Sequence, residues 1–249
     1  MNRRTLVKTL PALTALAGAA SSLMQDKPAL AQDASGAVQT PQPPADMQPI
    51  KLVKPETDGG KSVLASLWER KTIRSIKADK LPPQMLSNLL FAAFGVNREK
   101  GPSGRTGRTA ASASNSQEVD VYVALPEGVY LYDGVAHCLN PVTSGDQRSK
   151  AGRGGRGSGA VAPVRLIYVV DIAKFAKAPF QEPGLKDVEI QKMYYGVDCG
   201  LVAGNVYLFA ASQGLAAWFH NCNKPDLTTL LKLRPDQRPL FAQTVGYPA

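Results

Sequence analysis

Val119-Asp120-Val121-Tyr122-Val123-Ala124-Leu125 alternates in the manner of a β-strand, and Gly128-Val129-Tyr130-Leu131-Tyr132-Asp133 follows two residues later as its hairpin partner. Downstream, Val164-Arg165-Leu166-Ile167-Tyr168-Val169-Val170-Asp171 reads as a buried strand. Upstream, Pro83 to Phe94 is a helix with Met85, Leu86, Leu89, Leu90, Ala93 and Phe94 on one face, a proline at its start and Gly95 as its stop. Before it, Val63, Leu64, Leu67 and Trp68 recur at helical spacing between Ser62 and Arg70. Beyond the strands, the pattern predicts a helix over Lys186–Tyr195 and a longer apolar helix over Val197–Gln213. A short strand Ala216–His220 follows, then a helix opened by Asn223-Lys224-Pro225-Asp226 and running through Leu231, and a closing strand Leu240–Val245. Helices and strands alternate irregularly around one sheet, which defines a single α+β domain of about 190 residues, 59–249.

The flanks read differently. Asn2-Arg3-Arg4-Thr5-Leu6-Val7-Lys8, a mild apolar stretch from Thr9 to Met24 and Ala29-Leu30-Ala31 succeed one another as a twin-arginine signal peptide over 1–31. This predicts passage through the twin-arginine export machinery, already folded, to the periplasm. Residues 32–58, with Pro41, Pro43, Pro44, Pro49 and Pro55, read as a flexible linker. Cleavage after Ala31 would remove four cations and one anion, taking the net charge from +9 to +6. That balance suits an anionic ligand.

Several chemistries find little support. Cys138, Cys199 and Cys222 show no metal-ligand spacing, and Cys199 with Cys222 is the one pair suited to a disulfide, buried free thiols being the alternative. His137 and His220 have no evident nucleophile beside them. Gly152, Gly154 and Gly157 match a dinucleotide-loop pattern but lack the strand and helix it requires, and no aromatics are interleaved for nucleic acid. Residues 144–160 therefore read as a mobile surface loop, and 97–110 as a second polar, basic loop. The apolar run from Cys199 to Phe219 carries Asn205, Ser212, Gln213 and three glycines, which favours a core or interface helix over a membrane span.

Three sites stand out. Arg70-Lys71-Thr72-Ile73-Arg74 concentrates three cations and a hydroxyl where a helix ends, a set able to clamp a phosphate; alone, it reads more readily as a solvated basic helix end. Ala111-Ser112-Ala113-Ser114-Asn115-Ser116-Gln117 offers small residues and an amide suited to a heterocycle edge, or an ordinary polar turn. Gln213-Gly214-Leu215-Ala216-Ala217-Trp218 turns a helix into a strand, either freeing backbone N–H groups at Gly214 for a ligand or, more commonly, simply stopping the helix.

Taken in order, Arg70–Arg74, Leu86-Ser-Asn-Leu-Leu-Phe-Ala-Ala-Phe-Gly-Val-Asn-Arg98, Ala111-Ser112 with Asn115-Ser-Gln117, Asp198-Cys-Gly200 with Asn205, Ala210 and Gly214-Leu215, and Val245-Gly-Tyr-Pro248 resemble the nitroreductase-like FMN flavoprotein family. The resemblance is nearer to its branch related to azoline-forming (SagB-type) dehydrogenases, and spans roughly Val63 to Pro248. It implies a mostly antiparallel central sheet flanked by helices, with the long apolar helix at a homodimer interface and FMN between the subunits. It also implies that Arg70, Lys71, Thr72 and Arg74 hold the ribityl phosphate and pyrimidine edge, that Asn115 bonds the isoalloxazine ring, and that the Gly214–Leu215 backbone lies near the flavin N5. No side-chain nucleophile and no metal are implied; hydride passes through the flavin to or from a small molecule. A periplasmic binding or accessory protein with this fold and no redox turnover is the alternative. Three departures are Ala111 for the family's proline, Thr72 for its serine, which keeps the hydroxyl, and the absence of a Lys or Arg after Val245, Arg234 and Arg238 both preceding the last strand.

Overall fold

The computed structural model of the chain describes residues 44–101, 103–152 and 161–249. The stretch read as a signal peptide, the stretch read as a linker up to residue 43, Pro102 and residues 153–160 of the glycine-rich loop lie outside them. Nine strands form among the described residues: β1 (Ile50–Lys51), β2 (Val96–Arg98), β3 (Gly107–Arg108), β4 (Val119–Leu125), β5 (Gly128–Asp133), β6 (Cys138–Ser144), β7 (Val164–Asp171), β8 (Ala216–His220) and β9 (Gln237–Gly246). The helices are α1 (Val63–Glu69), α2 (Pro83–Phe94), α3 (Val188–Ser212) and α4 (Lys224–Leu230).

The expected β4–β5 hairpin nucleates a seven-stranded sheet in the order β1-β6-β5-β4-β7-β9-β8, with every neighbouring pair antiparallel. Alternation in the central strands serves two cores. Val119, Val121 and Val123 of β4, with Leu166, Tyr168 and Val170 of β7, face α2 and α3 through Leu89, Leu90, Val202 and Val206. Tyr122, Ala124, Ile167 and Val169 face the other way, onto Leu227 and Leu231 in and after α4. Leu89, Leu90 and Leu166 are fully buried, each worth about 1.5–3 kcal/mol in transfer free energy. The architecture is the α+β one expected, with an antiparallel sheet flanked by helices.

Four readings change. Residues 188–212 form one helix, not two, capped by Asp187 Oδ1, which accepts the Glu189 and Ile190 N–H groups. Gly196, Gly200 and Gly204 within it have no neighbour among the described residues within 4 Å of where a Cβ would stand. The face of α1 expected to be buried is exposed: Trp68 is 92% and Leu64 79% accessible, while Ser66 turns inward. Within the stretch read as linker, Ile50 and Lys51 pair with Leu139 and Cys138 of β6, and Leu52 is buried. The basic loop after Asn97 contains the short β2–β3 pair. Gly95 does end α2, but with extended dihedrals; glycine is needed because a Cβ would lie 2.4 Å from the Phe91 ring. The three cysteines are free thiols. No helix among the described residues is long and apolar enough to cross a membrane.

Candidate active site

The Arg70–Arg74 run leaves α1 and lies along the edge strand β8, where the Ile73 N–H donates to the Ala217 carbonyl at 3.1 Å. Farther on, Ile76 bridges to Pro248 and the Lys77 N–H donates to the Tyr247 carbonyl, so the run is pinned between β8 and the chain's last residues. Arg70, Lys71, Thr72 and Arg74 are exposed. Among the described residues none of the three cations has a carboxylate within salt-bridge distance, and the adjacent Glu69 is taken by Lys61. The guanidinium groups lie over aromatic faces instead, Arg70 above Tyr207 at 5.4 Å and Arg74 above Trp218 at 5.7 Å. The Phe219 N–H donates to the Tyr207 hydroxyl at 2.8 Å, and that hydroxyl lies 3.0 Å from Thr72 Oγ1. Either hydroxyl can donate in that bond; with Tyr207 as the donor, Thr72's own hydroxyl proton is left for a ligand.

Gly214 sits at the C-terminal end of α3 with φ +68°, exposed, and with open space around its α-carbon. This left-handed stop is one that only glycine adopts without strain. Its N–H reaches the Ala211 carbonyl only at 3.4 Å, whereas the Leu215 N–H is fully engaged with Ala210 at 2.8 Å. Leu215 is also buried, so it offers position, not a free donor. The Arg70 run, Gly214, Tyr207 and Trp218 thus form one locus: exposed cations, two aromatic faces and an open backbone turn. An anion carrying a flat ring system fits that donor set.

Asn115 belongs to a second locus. Its turn is held against α3 at Asp198, whose Oδ2 accepts the Ala113 N–H at 2.8 Å. Asp198 and Tyr207 are nine residues apart, about 13.5 Å along the helix axis. The turn is strained, with positive φ at Ser114 (50°), Asn115 (54°) and Gln117 (52°). Cross-bonds hold it: Gln117 Nε2 donates to Asn115 Oδ1 at 2.9 Å, Arg105 to the Asn115 carbonyl at 3.2 Å, and Arg108 Nε to Gln117 Oε1 at 2.8 Å. Behind it, burial pushes the Glu118 carboxyl up to about 8, with nearby Asp198 adding to the shift, and burial raises Asp198 as well.

Tyr207, Arg105 and Glu118 escaped the sequence reading, since nothing in the local sequence shows what such side chains meet; Trp218 lies at the end of the Gln213–Trp218 stretch singled out there, without a role of its own. Arg234 and Arg238 do not substitute for a C-terminal cation. Arg234 is paired with Asp171 at 2.8 Å, and Arg238 is eight residues along β9 from Gly246, about 27 Å away.

The sequence profile of the Nitroreductase family matches residues 67–247, from the Arg70 run to the C-terminal strand. The chain belongs to the Nitroreductase family. A nitroreductase-family protein from Ralstonia eutropha JMP134 superposes with a TM-score of 0.71 at 34% identity, covering 85% of this chain and 95% of that one. A Methanocaldococcus jannaschii protein named as a nitroreductase is 26% identical over 193 residues, 72% of this chain and 88% of its own. The Escherichia coli microcin synthetase complex McbBCD shares the fold, with a TM-score of 0.59 at 18% identity over 73% of this chain and 70% of its own. Membership of the Nitroreductase family makes the protein an oxidoreductase by class.

Proposed function

We propose that this protein is an exported, homodimeric, FMN-dependent oxidoreductase that moves hydride to or from a small-molecule substrate. The observation that carries the reading is the gathering of three unneutralised cations, Thr72, Tyr207 and Trp218 beside the left-handed turn at Gly214. FMN bound there supplies the redox chemistry. Arg70 and Arg74 fork onto the phosphate, Lys71 adds a point charge, and Thr72 contributes a hydroxyl. Gly214 keeps side-chain atoms away from the reacting ring edge.

Two features support the homodimer. Met193, Val197 and Leu201 make an exposed apolar stripe on α3, next to the exposed apolar face of α1. Gly196, Gly200 and Gly204 run along α3 with no described residue within 4 Å of where a Cβ would stand, although each costs about 1 kcal/mol in a helix interior. A second copy packing closely over those glycines explains both, and would bring one copy's Asn115 toward its partner's Arg70 locus. The export route rests on the twin-arginine start and the small-residue cleavage site.

Anaerobic reduction of the FMN-loaded protein tests the enzymatic reading. A hydride donor such as NADH, NADPH or a hydroquinone is expected to bleach the bound flavin, and a nitroaromatic or quinone to restore its colour. Flavin that stays oxidised with every donor, and that after dithionite reduction passes nothing to either acceptor, would establish a binding protein instead.

A further inference from the structure

Glu118 stands where the chain leaves the Ala113–Gln117 turn and enters β4, and its carboxyl takes no part in the cation cluster. The residue is fully buried, and Oε1 has no hydrogen-bond partner among the described residues. Asp198 acts on it from α3 and is itself only 5% exposed. Among the described residues no Lys, Arg or His lies within salt-bridge distance of either carboxyl. The other charged groups around the turn act elsewhere. Lys174 bonds the Gln117 carbonyl and Asp120, Arg105 the Asn115 carbonyl, Arg108 the Gln117 side chain, and Glu182 accepts from Ser114. The Cys199 thiol beside Asp198 is kept neutral by burial.

The hydrogen bonds call for a proton here. Ser116 Oγ lies 2.7 Å from the Ala113 carbonyl oxygen and 2.6 Å from Glu118 Oε2, two acceptors for one hydroxyl proton if Glu118 is ionised. A proton on Oε2 resolves this, with Glu118 donating to Ser116 and Ser116 to Ala113. Asp198 then stays ionised and keeps the Ala113 N–H. Two facing carboxylates, buried without a cation, would repel each other in a poorly solvating site.

We propose that Glu118 is a neutral carboxylic acid in the working protein and forms with Asp198 a positioning pair that holds the strained Ala113–Gln117 turn, presenting Asn115 to the flavin. The role rests on the assignment of Asn115 to the flavin ring; the protonation does not. The sign of the pH dependence follows. A carboxyl raised from 4.5 to about 8 costs nothing below the lower value, and its contribution is lost as pH rises through the upper one. Alkaline pH therefore loosens the turn.

Thermal unfolding of the flavin-free full-length protein from pH 5 to 9, with Glu118→Gln alongside, tests the pair. Gln keeps the shape and an N–H donor while removing the ionisation. The wild type is expected to lose on the order of 5 °C more than E118Q over this range; parallel slopes would overturn the proposal. The infrared C=O stretch of a protonated buried carboxyl, present in the wild type at pH 7 and fading above pH 8, makes the same test without a variant, and its absence at pH 7 would overturn it equally. In FMN titrations, wild-type affinity is expected to weaken about tenfold across the transition while that of E118Q does not. A stability difference with pH-independent FMN affinity would overturn the positioning role alone. Failure of FMN to bind at any pH would refute the flavin assignment and leave the stability and infrared arms to decide the protonation.

Discussion

Replacing Arg70 and Arg74 together by alanine is expected to weaken FMN binding by about 10²–10⁴-fold, since each charge-assisted contact contributes about 1.5–3 kcal/mol. The loss is large because two of the three cations of the run go together. Lys71 is the remaining cation of the run, and the arginines nearest the C-terminus stand at the far end of β9 or in an ion pair with Asp171. Both replaced side chains are exposed, so the unfolding temperature is expected to change little. Arg238→Ala is the control and is expected to leave FMN affinity unchanged. Fluorescence quenching of FMN on titration makes the measurement. Equal affinity in the double variant and the wild type would return the run to a solvated helix end.

Val197→Glu with Leu201→Glu is expected to weaken self-association by about 10³-fold or more, because two-fold symmetry places four carboxylates in an apolar contact. The two positions are one turn apart on the exposed stripe of α3, at 56% and 44% accessibility, so the isolated chain tolerates the charges. Sedimentation velocity is expected to show a dimeric wild type and a folded, monomeric variant, with FMN retention lost alongside the dimer. A wild type that stays monomeric at concentrations where FMN binds would contradict the shared site.

The strands of six or more mostly apolar, β-branched and aromatic residues, β4, β5 and β7, were legible because burial on both faces leaves little else for such sequences to do. β6 was not. Cys138-Leu-Asn-Pro-Val-Thr-Ser144 carries a proline, which the sheet accommodates where the register shifts, Val129 pairing with Thr143 but Tyr130 with Pro141. The start of β9 hid behind Pro239 in the same way, at the shift between Tyr168 and Val169. The unity of α3 was not legible, since Gly196 stands between the two predicted helices, Lys186–Tyr195 and Val197–Gln213, and sequence alone does not show that a glycine there continues the helix. The same blindness affected α1. Periodicity reveals that Val63, Leu64, Leu67 and Trp68 share a face, but not whether that face meets this chain's core or another molecule. At the site, the cations and Gly214 were visible as residue types at an element end, whereas Tyr207 and Glu118 acquire meaning only through what the fold sets against them.

The most direct test of the account is a visible-absorbance titration of the purified full-length protein with FMN. Saturable, stoichiometric uptake with a shifted and structured flavin band is the predicted result. An unperturbed free-flavin spectrum throughout, with no flavin carried through purification, would contradict it.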